Sequence, residues 1–288
     1  MPPDATYPDE IYRVDGQIDR SERELYYRLA RNGYQGVGEI VEVGSLFGAS
    51  TSCFAAGLRD NPNVVEKAKR LHCFDRFEVY PAIQPVFRTL NVGDDFSALF
   101  VNNVLQYEQM LRVTKCDARK IVWDRGPIEI LFIDCAVSAE LYQAVMHALY
   151  PSLIPGTSLI VDQDFFFPAA WWLPVKNRLL QTLLSPLKSA DCTLVSRLTQ
   201  PLGSAIAQID FAGLTLDQRL NLLDDQRKFF GTGGVGELIQ VQKGHLLLAS
   251  GERERGTQLL KSLITFATNP AASERAAESL KEFGISAV

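Results

Sequence analysis

The chain has 288 residues, 47% apolar and 22% charged, with 29 basic against 34 acidic side chains and a net charge of −5. This composition excludes wholesale disorder and a disulfide miniprotein, and it can bury a full core. It lacks the basic excess that grips a phosphate backbone, so nucleic acid is not an expected partner. No apolar run approaches the ~20 residues that span a bilayer, so no membrane partner is expected either. The opening MPPDATYPDE has neither a basic n-region nor an apolar h-region, so a signal peptide is not expected. Cys53, Cys73, Cys116, Cys135 and Cys192 are scattered without zinc spacing and read as reduced, buried small hydrophobes of a cytoplasmic protein.

Residues 1–19 are polar and read as a loose arm. Ser21 with Glu24 forms a capping-box pattern, and Leu25 and Leu29 follow at helical spacing, predicting a helix over 21–32. Strand-like runs follow at 38–45, 71–75, 111–118, 128–135 and 157–164. Helical patterns separate them, including 96–110 and 138–150. The strands are nearly continuous apolar runs, which signals a sheet covered on both faces. The alternation predicts an α/β, doubly wound, Rossmann-like parallel sheet. A helix over 172–190 and strands at 192–198 and 204–210 are expected next. Residues 214–230 and 236–284 read as helical. Within them GHLLLASGERERGTQLLKSL looks like one helix–turn–helix unit, expected to pack on the domain or on a second copy of the chain. The expected division is 1–35, an arm and helix; 36–212, the sheet domain; and 213–288, a C-terminal helical extension.

In such sheets ligands bind at the carboxyl ends of the strands. An acid recurs at each of these ends: Glu42, Asp75, Asp117, Asp134, and Asp162 with Asp164. In Glu42-Val-Gly-Ser-Leu-Phe-Gly-Ala-Ser-Thr51, Gly44 permits a tight turn and close approach of a ligand. Gly48 relieves crowding, and Ser50 and Thr51 are expected to cap the next helix, whose amides attract a carboxylate. Glu42 reads as a countercharge to an amino group. The spacing is not the dinucleotide fingerprint GxGxxG. Asp75 has the chemistry to accept from ribose hydroxyls, and Asp117 from an adenine amino group.

EVGSLFGAST, FDRFE, KCDA, IEILFIDC and LYPSLIPGTSLIVDQD, in this order, resemble the class I S-adenosylmethionine-dependent methyltransferases. The closest look is to the macrolide-sugar and rhamnosyl O-methyltransferases, over residues of about 20–210. The resemblance implies a seven-stranded methyltransferase sheet with the last strand antiparallel. It implies that Glu42, Gly44, Ser45 and Ser50 serve the methionine half of S-adenosylmethionine, Asp75 its ribose, and Cys116 and Asp117 its adenine; Gly48 and Asp134 are expected among the cofactor-binding residues as well. It further implies a magnesium ion on Asp134, Asp162 and Gln163, hard oxygen donors that suit Mg²⁺.

The chain departs from that pattern at Asp134-Cys135-Ala136-Val137, where a second polar residue is expected. Base candidates are Asp134, Asp164 and Glu140. His72, His147 and His245 read as structural. FFFPAAWWLP (165–174) reads either as an acceptor platform or as core. RFEVYPAIQPVF (76–87) reads as a cap over the cofactor or an ordered insertion. The leading expectation is O-methyl transfer to a small polyhydroxylated acceptor, such as a sugar of a natural product or glycan. A degenerate methyltransferase fold that serves as a binding module stays open, as does self-association through the C-terminal helices.

Overall fold

The computed structural model describes residues 7–81, 83–87, 89–135, 137–231 and 233–287. The first helix, α1 (Arg20–Arg28), starts one residue earlier than expected. Its capping box is Asp19 with Glu22, and Ser21 donates its amide to Asp19 instead of capping. A π-type turn over Leu29–Gly33 ends it. Strand β1 (Glu39–Val43) leads into α2 (Ala49–Arg59), β2 (Leu71–Asp75), α3 (Ser97–Val104), β3 (Leu111–Lys115), β4 (Ile128–Ile133), α4 (Ala139–Leu149), β5 (Leu159–Asp162) and α5 (Trp172–Leu179).

Two antiparallel strands, β6 (Leu184–Ala190) and β7 (Thr193–Leu198), complete a seven-stranded sheet of order β3-β2-β1-β4-β5-β7-β6. The pairs from β3 to β5 are parallel, and β7 runs antiparallel to both neighbours. The chain therefore reverses its direction of winding between β1 and β4, and the switch point opens at their carboxyl ends. The expected helix over 172–190 is corrected: it stops at Leu179, and its second half is β6. The expected strand at 204–210 is not formed; only a 3₁₀ turn, Ile206–Gln208, lies there. The reason is that LSPLKSA is an edge strand. Its side chains beyond Leu184 are partly or fully exposed, Pro186 sits beside a register shift, and no apolar run marks it.

Each sheet face carries its own core. Alternate residues of β4 serve opposite sides: Ile130 and Phe132 pack with α1, α2 and α3, whereas Leu131 and Ile133 pack with α4, α5 and the C-terminal helices. Tyr26 of α1 stacks on Phe54 of α2 at 5.3 Å and meets Phe132 edge-on at 4.9 Å. The C-terminal extension is four helices: α6 (Leu216–Phe230), α7 (Val235–Ala249), α8 (Arg253–Phe266) and α9 (Pro270–Glu282). It shares one core with the sheet and packs on the domain. Gly244 and Gly256 let α7 and α8 approach closely; a Cβ on either would lie within 2.8 Å of a leucine on the facing helix. Gln242 donates through its Nε2 to the carbonyls of Phe165, Phe167 and Ala170. Among the described residues no helix is long and apolar enough to cross a membrane.

Candidate active site

A cavity of about 430 Å³ opens at the switch point, a volume within the range of small-molecule sites. Its floor is the β1–α2 loop. Gly44 has φ +93°, and a Cβ there would lie 2.1 Å from the carbonyl oxygen of Asp134. The ends of β1, β2 and β4 are held together by bonds from Gly44 N to Phe74 O and from Asp134 N to Val43 O, each 2.8 Å. Gly48, with φ +92°, precedes α2, and a Cβ there would strike Val104 and Phe100.

Ser50 and Thr51 do not cap α2. With Ser45 they donate their hydroxyls to Glu42, at 2.6, 2.5 and 2.9 Å respectively. Glu42 is fully buried and does not line the cavity, so it braces the loop from beneath and is not a countercharge facing a ligand. Burial raises its carboxyl above the usual range, and the three hydroxyls oppose that shift.

Around the cavity stand Gly44, Ser45, Ser50, Asp75, Cys116, Asp117, Asp134, Gln163, Asp164 and Glu140 of the expected set. Asp75 accepts the amides of Leu46 at 2.9 Å and Phe77 at 2.6 Å, which fixes it at the rim. Its carboxyl is raised by burial, against those bonds. Asp117 caps a short 3₁₀ turn and pairs with Arg119 at 2.5 Å, which lowers its carboxyl to about 2. Asp134 is raised well above the ordinary carboxylate range, first by burial and then by the charge of Asp164. Burial pushes Asp164 up to about 6, with Arg275 opposing. Glu140 stands exposed in the first turn of α4.

Asp162 does not join them. It is fully buried outside the cavity, one oxygen accepting from Lys176 Nζ at 2.6 Å and the other from the Tyr142 hydroxyl at 2.5 Å. The expected set Asp134, Asp162 and Gln163 therefore does not converge on a cation, and among the described residues no cluster of His, Cys, Asp and Glu suits one. Ala136 lies outside the described residues; its neighbour Val137 is exposed and lines the cavity. None of the histidines reaches the cavity. His72 bonds Glu39 and Arg125, His147 approaches the Ile206 carbonyl, and His245 approaches Ser279. Of the 165–174 aromatics, Phe165, Phe166 and Trp172 are core, the first two against each other and Phe230, while Phe167 is exposed; none lines the cavity.

One wall escaped the sequence reading. The arm read as loose contributes Gly16, Gln17 and Ile18, seated where a Cβ on Gly16 would lie 2.5 Å from that of Ala49. The segment after β2 contributes Arg76, Glu78, Tyr80 and Ile83, so 76–87 is the cap of that alternative. Burial, reinforced by Asp134 and Asp75, pushes the Tyr80 phenol up to about 12.

Residues 41–163 match the family model described as a methyltransferase domain, which spans β1 to the end of β5. No curated protein matches the chain. Among solved structures, the chain is similar to the O-methyltransferase NovP at 14% identity and a TM-score of 0.50, over 62% of this chain and 80% of that one. It is also similar to CalS11, a TDP-rhamnose 3'-O-methyltransferase of calicheamicin biosynthesis, at 20% identity, TM-score 0.43, and 61% and 77% coverage. A third likeness is to a putative rRNA methylase from Clostridium thermocellum, at 13% identity, TM-score 0.42, and 64% and 98% coverage. The likeness to NovP shows the fold.

Proposed function

We propose that this chain, an S-adenosylmethionine-dependent methyltransferase by its domain and its fold, methylates a hydroxyl of a small, uncharged, polyhydroxylated acceptor, with a sugar of a natural product or glycan as the leading class. The observation that carries this reading is the charge of the cavity. Asp75, Glu78, Asp117, Asp134, Glu140 and Asp164 line it, against Arg76 and Arg119 alone. An acidic, partly desolvated chamber favours a cationic ligand and repels a polyanion such as nucleic acid.

The residues fit the cofactor. The loop at Gly44 leaves room where a side chain would stand, Asp75 offers acceptor lone pairs at the end of β2, and Cys116 and Asp117 edge the far end. When bound, the cofactor supplies a methyl group on a positively charged sulfur, which leaves as a neutral thioether. The chain's part is to position and to accept a proton. A carboxylate of the chain would take the proton of the acceptor hydroxyl. Asp164, raised to about 6, is the base of choice, since a base with proton affinity near the working pH transfers best. Asp134, raised well above the ordinary carboxylate range by burial and by the charge of Asp164, keeps its proton and leaves the negative charge on Asp164, and Glu140 at the mouth is the second candidate. Most of the rate enhancement is expected from holding the reactants in line.

Calorimetric titration with S-adenosylmethionine, S-adenosylhomocysteine and NAD tests the cofactor assignment. Binding of the first two and not NAD is expected; the reverse would overturn it. Release of S-adenosylhomocysteine across a panel of neutral glycosides, sugar phosphates and RNA then tests the acceptor class. Turnover of RNA or of the sugar phosphates alone would count against it.

A further inference from the structure

The carboxyl end of β5 holds a fully buried ionic cluster that the mechanism above does not use. Lys176 of α5 and Asp162 of β5 are each fully buried, with Nζ 2.6 Å from Oδ2. Tyr142 of α4 donates to the other oxygen of Asp162 at 2.5 Å and is itself 2.9 Å from the Tyr150 hydroxyl. The ammonium also lies 5.8 Å from the centre of the Tyr142 ring. Each oxygen of Asp162 is thus taken by one of these partners, and neither Asp162 nor Lys176 lines the cavity.

We infer that Lys176 is the resident cation of this site: it neutralises Asp162 internally, so the carboxyl end of β5 binds no divalent metal and the methyltransferase works without one. An isolated buried carboxylate is costly and must find a positive partner, a metal or a side chain. Here a side chain from the next helix has taken that place. The pair does more than cancel charge. Asp162 is followed directly by Gln163 and Asp164, which line the cavity, and Tyr142 follows Ser138, Glu140 and Leu141, which line it from α4. One carboxylate thus ties together the two walls on which the base candidates stand. Burial lowers the proton affinity of Lys176 while Asp162 raises it, the balance expected of an ion pair sealed from water.

The inference concerns the same cavity, but its test does not depend on the acceptor, and S-adenosylhomocysteine titration checks the cofactor reading separately. The full-length protein is titrated with Mn²⁺ and followed by electron paramagnetic resonance, and its melting temperature is measured with Mg²⁺ and with EDTA. No saturable Mn²⁺ site and no metal-dependent thermal shift are expected. Lys176→Met strands a buried charge and should lower the melting temperature by on the order of 10 °C. The double variant Lys176→Met with Asp162→Asn should regain most of that loss, because neither charge is then unpaired. Should Lys176→Met fail to fold, the comparison runs between the wild type and the double variant, and the Mn²⁺ measurement stands on the wild type alone. A saturable Mn²⁺ site that Asp162→Asn abolishes would overturn the inference. So would a Lys176→Met protein as stable as the wild type.

Discussion

At Gly44 the backbone of β1 turns against that of β4 so closely that the fold and the binding floor depend on the same missing side chain. Gly44→Ala would place its Cβ 2.1 Å from the Asp134 carbonyl, at a φ that L-residues avoid. The expected outcome is a lower melting temperature together with loss of S-adenosylhomocysteine binding, read by thermal denaturation and calorimetry. Asp75→Ala should cost about 1–3 kcal/mol of cofactor affinity, since the carboxylate would accept charge-assisted bonds from the ribose; unchanged affinity would sink the assignment. Glu22, almost fully buried, offers a pH test. Burial raises its carboxyl to about 7 against bonds from Thr193 and the Asp19 amide. A raised folded value means that the folded state holds a proton the unfolded chain has already lost. The folded state therefore loses stability relative to the unfolded chain as pH rises from 4.5 to about 7, by on the order of 1–3 kcal/mol. Glu22→Gln should flatten that slope; denaturant titrations at pH 5 and pH 8 check it, and an unchanged slope would exclude Glu22 as the source.

The N-terminal segment preceding α1 is an element whose polar composition hides its role. Arg23 of α1 donates to the carbonyls of Ile11 and Val14, and Gly16 lies against Ala49 at the start of α2. Gly16→Val should push the arm off the cavity and weaken S-adenosylhomocysteine binding more than it lowers the melting temperature. Equal affinity for wild type and variant would show that the arm is a bystander. On the other side of the sheet, Gln242 of α7 serves three carbonyls of the Phe165–Ala170 turn. Gln242→Leu keeps the shape and takes the bond from the buried Phe165 carbonyl, whereas the Phe167 and Ala170 carbonyls keep the amides of Ala170 and Leu173, so a loss of about 1–3 kcal/mol of unfolding free energy is expected. A change within the scatter of surface mutants would mean that water takes over the bonds.

Across the whole molecule, the C-terminal helices α6 to α9 share a buried core with the sheet. Leu238, Ile239, Leu246, Leu260 and Leu280 belong to the same buried cluster as Leu131, Ile160 and Phe165. Deleting 236–288 would uncover this face, and aggregation is the expected outcome in size-exclusion chromatography. A truncated chain that stays monodisperse and folded would show that the sheet domain closes its core alone. Arg275 of α9 reaches back to the Phe166 carbonyl and to Asp191, and it is the positive charge that restrains Asp164. The tail thereby touches the electrostatics of the cavity from behind.

The strand positions and most cavity acids were legible because each rests on local information. Parallel strands buried on both faces are written as unbroken apolar runs, and an acid after such a run lands at a carboxyl end whatever surrounds it. The capping register of α1 escaped because Asp19 and Ser21 offer the same chemistry two residues apart, and only packing chooses between them. Strand β6 escaped because an edge strand needs neither apolar alternation nor freedom from proline. The orientation of Glu42 and Asp162 was beyond reach of the sequence. Their positions along β1 and β5 follow from the strand pattern, but whether a carboxylate faces the cavity or the core depends on partners distant in the chain. Lys176 lies fourteen residues beyond Asp162 and Tyr142 twenty before it, and only the packing of α4 and α5 on one face of the sheet brings both to the same two oxygens.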